Sequence, residues 1–532
     1  MTEAAAARPA YLETGWTGGR NPWVIALVVT FATFMEVLDT SIANVSLPHI
    51  AGNLSVTQDE STWVLTSYLV SNAVVLPISG WIATKIGRKR FYMSCVALFT
   101  VSSFLCGIAP SLGWLILFRV LQGLGGGGLG PSEQAILADT FPPAKRGMAF
   151  AVYGMAVVLA PAIGPTLGGF ITDNFSWRWV FFINIPVGIA SLFLSSRVVT
   201  DPPHLALAKE RSGGIDYWGL SLIAVGLGAL ELVLDKGQED DWFHSSFIVG
   251  ASVVAAVALT TFVLWELRHP KPVVDVSLFK NPTFAAANVM MLTLGMALFG
   301  STVLLPQYMQ IQMGYTAEQA GMALSPGGFV VILLLPFVGA MVSRVDPRYL
   351  VAFGFLILSA SMFYMASHLY QGIDFKHAIL LRVYQSAGLA FLFVPINQVV
   401  FAGVPPEKNN AVSGIVNLSR NMGGDIGIAF VTTAIARRSQ AHQADLAVHV
   451  TRFDTAITAN LDRITAALQH AGASAPEAAR RATAVLYRQV LGQATTLAYL
   501  DVLRILAGIT FLMIPALFLT KRPRVGGPVG GH

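Results

Sequence analysis

The chain has 532 residues, of which 54% are hydrophobic and only 12% charged, and its mean hydropathy is +0.62. Ordinary globular proteins carry about 25% charged residues, so the composition excludes a water-soluble multidomain protein and predicts an all-α polytopic membrane protein. The two cysteines, Cys95 and Cys106, share one apolar stretch, which excludes a disulfide framework and a paired-cysteine metal site. The net charge of +5 is a question of topology before it is one of partners.

Residues 1–21 lack the basic region and small-residue cleavage site of a removable signal, so they are expected to be a cytoplasmic tail before a retained first helix. Apolar runs of about 20 residues begin near Trp23, Trp63, Tyr92, Leu112, Met148, Val180, Tyr217, Phe247, Phe284, Gly321, Tyr349, His377, Val412 and Ala498, predicting fourteen spanning helices. A cytoplasmic N-terminus puts Lys85, Arg88, Lys89, Arg90, Lys145, Arg146, Lys209, Arg211, Arg268, Lys271, Lys280, Arg344, Arg348, Lys408 and the 521–532 tail on that side. The short outer loops keep only Arg178, Lys236 and Lys376. This asymmetry satisfies the positive-inside rule, so both termini are expected in the cytoplasm and no nucleic-acid partner is expected.

The first helix carries Glu36 and Asp39, three residues apart and therefore on one face. A charge in the hydrocarbon region costs about 2.5–3.5 kcal/mol on insertion scales, which makes each a candidate for function. Two carboxylates in a low-dielectric cavity disfavour double ionisation, so the pair can load and release a proton; the alternative is a carboxylate salt-bridged to a structural arginine. Asn44 follows on the same helix as a cavity candidate.

Gly80 to Arg90 joins the second and third helices, and Gly80, Gly87, Arg88, Lys89 and Arg90 are candidates for a cytoplasmic gate held through carboxylates and helix C-termini. Simple topology anchoring accounts for much of the same charge. In the fourth helix Arg119 is followed by Gln122 and by Glu133. A permanent guanidinium stabilises a nearby carboxylate, so motion of Arg119 relative to Asp39 would change proton affinity; the rival is a structural ion pair common to both halves, since Arg382 matches Arg119. The run Gly125–Gly130 has no following Lys-Ser/Thr, so it is not a phosphate loop, and Gly126 with Gly130 predicts close helix packing. In the fifth helix Pro161, Gly164, Pro165, Gly168 and Gly169 combine kinking prolines with glycines expected to permit tight contact between the halves.

Leu47-Pro48 recurs as Leu305-Pro306, Gly80 as Gly339, Arg119-Val120 as Arg382-Val383, Gln122 as Gln385, and Pro142-Pro143 as Pro405-Pro406. The offsets are about 258 to 263, and a six-helix unit repeated in the same topology is a parallel repeat, its copies related by an axis along the membrane normal. Glu36 and Asp39 map onto Leu294 and Ala297, so the acidic site belongs to the first half alone. The organisation is a 22–200 six-helix bundle, two inserted helices within 201–282, and a 283–520 bundle. Gln307, Gln310, Asn397, Gln398, Arg420 and Asp425 are further cavity candidates, with interhelical hydrogen bonding as the alternative. Segment 436–497 is an outer loop whose residues 440–490 predict an amphipathic helical excursion. His442 and His449 share a face there, no cysteine or acidic ligand is expected to accompany them, and a solvated face is favoured over a metal site.

Together these segments resemble the major facilitator superfamily and, within it, the fourteen-helix drug:proton antiporter family of the EmrB/QacA type. Phe34 to Val45 is similar to that family's first-helix motif, Gly80 to Arg90 to the superfamily loop, Arg119 to Gly123 to the fourth-helix motif and Pro161 to Gly169 to the antiporter fifth-helix motif. Trp177 to Pro186, Leu234 to Gly237 and Val274 to Phe279 are similar to further family signatures. One departure is Thr84, where the superfamily loop usually has Asp, so gating by that acid does not carry over. The resemblance implies a major facilitator fold and proton-driven efflux of hydrophobic or amphipathic compounds across the bacterial inner membrane. It also implies no cofactor beyond the proton gradient, and a periplasmic adaptor of the EmrA type with an outer-membrane channel. A proton-coupled importer on the same fold and a polytopic membrane enzyme are the alternatives.

Overall fold

The computed structural model describes residues 15–203, 205, 216–270, 272–402, 404–451 and 454–520. The expected tails at 1–14 and 521–532, with Lys209, Arg211 and Lys271, lie outside the described residues. In lipid every backbone polar group must be satisfied within the protein, which leaves helices as the simplest spanning element for long apolar runs. Fourteen long helices follow: α1 Pro22–Leu54, α2 Trp63–Ile86, α3 Arg88–Gly107, α4 Leu112–Thr140, α5 Pro143–Asn174, α6 Trp179–Val198, α7 Tyr217–Lys236, α8 Ser246–Glu266, α9 Pro282–Met313, α10 Ala317–Met341, α11 Pro347–His368, α12 Phe375–Phe401, α13 Asn409–His449 and α14 Ala475–Ala516. No strand occurs among the described residues.

Thirteen of these are long and apolar enough to cross a bilayer; α13 is the exception among the fourteen. Its 41 residues carry Arg420, Asp425, Arg437 and Arg438, and much of its membrane-level surface is buried against α9 and α14 rather than offered to lipid. At 1.5 Å per residue, α13 and the 42-residue α14 each reach about 60 Å, twice the hydrocarbon thickness. Their outer ends, with a short helix at Thr455–His470 packed on α14, form the expected helical excursion.

The repeat is visible in helix ends as well as in helix order. α1 begins with Asn21 capping the Trp23 amide and Pro22 in the first turn; α9 begins with Asn281 capping Thr283 and Pro282 in the first turn. Both have an internal proline, Pro48 and Pro306, and both end in a left-handed residue, Ser55 and Gly314. Reciprocal capping boxes then start the next segments, Thr57 with Glu60 and Thr316 with Gln319. Packing repeats too: α1/α5, α2/α4, α3/α4, α3/α6 and α1/α6 recur as α9/α13, α10/α12, α11/α12, α11/α14 and α9/α14. The inserted α7 lies against α2 and α13, and α8 against α7.

The halves meet along α5/α10, α2/α13, α4/α13 and α5/α12. Closest approach falls at the end holding the basic loop: a Cβ on Gly80 would lie 2.5 Å from Asn410 O, and one on Gly147 would lie 2.8 Å from Gly339 O. Gly80 and Gly339 are repeat counterparts, as are Gly147 and Asn410, so the two contacts are images of each other. Phe150 stacks on Phe401 at 5.3 Å, and Tyr153 packs on Phe393 at 5.6 Å, sealing the same end.

Candidate functional site

Arg119 and Asp39 meet in the interior of the first half, both 0% exposed. Arg119 donates to Asp39 Oδ2 at 2.6 Å, while Gln122 and Asn184 donate to Oδ1 at 3.0 and 2.6 Å. The guanidinium also donates to Gln122 Oε1 at 2.8 Å and to Val64 O at 3.0 Å, and it lies 4.3 Å above the Tyr68 ring. Charge-assisted bonds of this length are the strong class and can offset much of the pair's desolvation, with Arg119 Nη2 left buried without a partner among the described residues.

Glu36, expected to share the titration with Asp39, has hydrogen-bond partners of its own. It is half-buried and accepts from Tyr68 Oη at 2.9 Å and Asn72 Nδ2 at 3.2 Å, both on α2. Tyr68 therefore bridges the two acids, its ring beneath Arg119 and its hydroxyl on Glu36. The sequence pattern carried no signal for Tyr68, a lone aromatic in an apolar helix. Asn184 sits inside a family-like stretch, but its role on Asp39 depends on α6 folding back against α1.

Glu133 lies beyond a break in α4 at Gly127–Gly128 and is fully buried on α1, hydrogen-bonded to Thr30 rather than joined to Arg119. The glycine run lets α4 pass between its neighbours: a Cβ on Gly126 would collide with Tyr68 Oη, and one on Gly128 with Cys95 Sγ. From the second half, Arg420 donates to Tyr153 Oη at 2.9 Å, and Asn417 contacts Tyr153 Oη at 3.1 Å and Gln134 Oε1 at 2.9 Å. This polar layer joins α4, α5 and α13 across the halves.

The fifth-helix motif corrects one expectation. Gly164 and Gly168 press on α1 of the same half, where a Cβ added to Gly164 would collide with Ser41 Oγ and one added to Gly168 would lie 3.1 Å from Ile42 Cγ2. The half-to-half contact falls on Pro165 and the residues between the motif positions: Gly328 packs on Ala162 and Gly321 on Pro165 and Thr166. Pro161 and Pro165 lie within the continuous helix, and Gly169 has open space beside it.

At the basic end Arg88 is 1% exposed and binds Asn410 Oδ1 at 2.7 Å, Ala135 O at 3.0 Å and Asp139 Oδ2 at 2.6 Å. Asn409 donates to the other Asp139 oxygen at 2.6 Å. Asp139 is thus the acid paired with Arg88 at this end, while Thr84 accepts from Asn410 Nδ2 at 3.2 Å. Gly87 has φ +99 with Asp201 close by, Lys89 holds Asp201 Oδ1 and Ser196 O, and Arg90 is exposed. Asp139, Asn409 and Asn410 went unmarked because they lie at helix ends where polar residues are ordinary.

The remaining candidates do not form one cluster. Asn44 and Gln310 are exposed, Gln307 is half-buried, Asn397 caps back onto Phe393 O, and Gln398 reaches Pro143 O across the halves. Asp425 lies beside the buried Glu231 of the inserted α7. Nearby, Asp235 bonds Thr66 and Lys236 bonds Thr62, tying α7 to α2. On the excursion, His442 Nε2 lies 2.8 Å from Asp501 of α14, so an acidic partner does accompany that histidine through folding. A groove of about 600 Å³ between α11 and α14, lined by Phe363, Tyr364 and Phe511, lies away from all of these groups.

In Arg382 the second half repeats the cation without the acid. Arg382 donates to Gln385 Oε1 at 2.8 Å, as Arg119 does to Gln122, but its other partners are Ser301 Oγ at 3.3 Å and Thr302 Oγ1 at 3.1 Å. An ion pair common to both halves is therefore not what the described residues contain.

These features define a membrane-spanning helical protein of two like halves with charged groups sealed at its core. Residues 29–428 match the family model for the Major Facilitator Superfamily, and the chain belongs to that family. It is 35% identical to the multidrug export protein EmrB of Escherichia coli K12, over 96% of this chain and 97% of that one. Identity is 37% to the fatty acid resistance protein FarB of Neisseria gonorrhoeae, over 97% and 99%, and 32% to the colistin resistance protein EmrB of Acinetobacter baumannii, over 94% and 97%. Among solved structures, the proton:xylose symporter XylE superposes with a TM-score of 0.56 at 14% identity, covering 90% of this chain and 94% of that one. The human organic anion transporter MFSD10 gives 0.57 at 12%, covering 94% and 100%.

Proposed function

We propose that this protein is a proton-driven exporter of hydrophobic or amphipathic compounds that works by alternating access. The observation that carries this reading is the sealed Asp39 carboxylate, held by Arg119, Gln122 and Asn184 in the first half alone. A proton placed on Asp39 would remove the charge that holds Arg119, and the Arg119 released from it must find another partner. Protonation is in this way linked to movement of α4 against α1. Because α1 also packs on Gly164 and Gly168 of α5, the helix that runs along α10, that movement reaches the contact between the halves. Substrate and proton favouring different conformers each lower the apparent affinity for the other by the same factor.

The names of the similar proteins, one multidrug export protein, one colistin resistance protein and one fatty acid resistance protein, support export as the direction. The gathering of Lys85 to Arg90, Arg146 and Lys408 at one end supports a bacterial inner-membrane orientation with that end and both termini in the cytoplasm. The outer extensions of α13 and α14 are then the surface an EmrA-type adaptor would engage on the way to an outer-membrane channel.

The test is dye extrusion into everted membrane vesicles by the parent and by Asp39→Asn at matched expression, with and without an ionophore that collapses the pH gradient. The parent is expected to load dye only while the gradient stands, and Asp39→Asn to lose loading by at least about tenfold, the factor equivalent to 1.4 kcal/mol. Loading that survives both treatments would overturn the coupling role of Asp39.

A further inference from the structure

The two halves hold the same guanidinium in unlike surroundings. Arg119 is enclosed by Asp39 from α1 and by the Tyr68 ring from α2. At the repeat positions the second half has Ala297 and Gly327. Arg382 is nonetheless 6% exposed, with no carboxylate within ion-pair distance among the described residues. Its stem lies against Gly327, where an added Cβ would be 3.0 Å from Arg382 Cγ, so no aromatic ring can cover it as Tyr68 covers Arg119.

Arg119 leaves one donor over, Nη2; the shell around Arg382 leaves two, one of them on the glutamine whose counterpart Gln122 holds Asp39. Arg382 Nε and Gln385 Nε2 are buried without a hydrogen-bond partner, while the partners Arg382 does have are neutral oxygens of Ser301, Thr302 and Gln385. Of those three residues Thr302 is partly exposed, so the shell is not closed on every side. A buried guanidinium facing only neutral acceptors keeps much of its desolvation cost, and a well-placed anion beside it offsets part of that cost. Guanidinium geometry favours a planar two-oxygen acceptor such as a carboxylate, and the unused Nε and the amide of Gln385 are the donors such a group would occupy.

We propose that Arg382 and Gln385 form an anion subsite that receives the carboxylate of an amphipathic substrate, in the place Asp39 takes against Arg119. The proposal rests on the exporter reading and names a substrate class for it. The first half keeps its counter-ion built in and uses it for the proton; the second half leaves the counter-ion to the cargo.

The experiment uses the full chain in nanodiscs, with binding of 2-naphthoate and of the neutral 2-naphthylmethanol measured against empty discs. The parent is expected to bind the carboxylate at least about tenfold more tightly than the alcohol, the ratio corresponding to 1.4 kcal/mol. Arg382→Gln should remove that preference, and Arg382→Lys should keep part of it. Ala297→Asp installs the missing counter-ion within the fold, so it should remove the preference while leaving alcohol binding within about twofold, which separates loss of the subsite from misfolding. The proposal is overturned if the parent shows no preference, or if Arg382→Gln and Ala297→Asp weaken both probes alike. It is also overturned if chloride, exchanged against gluconate, displaces naphthoate in the parent and not in Arg382→Gln, because the site would then serve an inorganic anion. Binding is read without a gradient, so its failure leaves dye extrusion by the parent as an independent measure of the exporter reading.

Discussion

The first and second halves share helix order, capping and packing, yet they treat one buried arginine in opposite ways. In the first half Arg119 is neutralised by Asp39 and covered by Tyr68; in the second Arg382 has neither. Duplication therefore supplies two copies of a scaffold, and with Ala297 and Gly327 in place of the acid and the ring, Arg382 has no carboxylate partner among the described residues. Where the halves must act together the copies have stayed alike: Gly80 against Asn410 mirrors Gly339 against Gly147.

The largest expected effect separates the two arginines. Arg119→Ala leaves Asp39 buried and unpaired, which should cost about 3–5 kcal/mol of stability, read as a drop in the thermal midpoint of the purified protein. Arg382→Met removes a charge that has no internal counter-ion, and it should be neutral or stabilising by the same measurement. Equal losses would mean that the second half holds a counter-ion equivalent to Asp39.

A smaller effect tests whether the mirrored gate contacts act alike. Gly80→Val and Gly339→Val each place side-chain atoms against backbone of the other half, so each should favour conformers open at the basic end. Maleimide labelling of Ser413→Cys, buried beside that contact, is expected to rise by about tenfold in both, a population shift of about 1.4 kcal/mol. A response to Gly80→Val alone would restrict the symmetry to shape.

The smallest effect concerns Tyr68, which has a glycine as its counterpart. Tyr68→Phe keeps the ring under Arg119 and deletes the hydroxyl on Glu36, at about 0.5–1.5 kcal/mol for one hydrogen bond. Dye extrusion should fall a fewfold while the thermal midpoint moves less than in Arg119→Ala. No change in extrusion would place Glu36 outside the coupling path.

Much of this was legible along the chain. Apolar runs at bilayer length marked fourteen helices, and the offsets from Leu47 to Leu305 and from Arg119 to Arg382 marked the duplication, because lipid burial and helix period act on local sequence. Asp39, Glu36 and Arg119 stood out since charge inside an apolar run is costly wherever the helix ends up. The partners did not stand out. Asn184, Tyr68 and Asn410 are ordinary residues until α6, α2 and α13 bring them to Asp39, Glu36 and Arg88. Gly164 and Gly168 of the fifth helix were expected between the halves and instead face α1, because motif spacing names a helix face without naming the helix that meets it.

By itself, then, the sequence determined the membrane as solvent, the helix count, the repeat and the identity of the buried charges, all of which follow from side-chain polarity against a fixed apolar thickness. Only the tertiary structure decided which charges meet. Asp39 and Arg119 are 80 residues apart and close to 2.6 Å, whereas Arg382 and the Ala297 position are as well placed by the repeat and form no pair. Ion pairing depends on distances of a few ångströms between helices, and those are set by the packing of glycines and rings, which hydropathy does not encode.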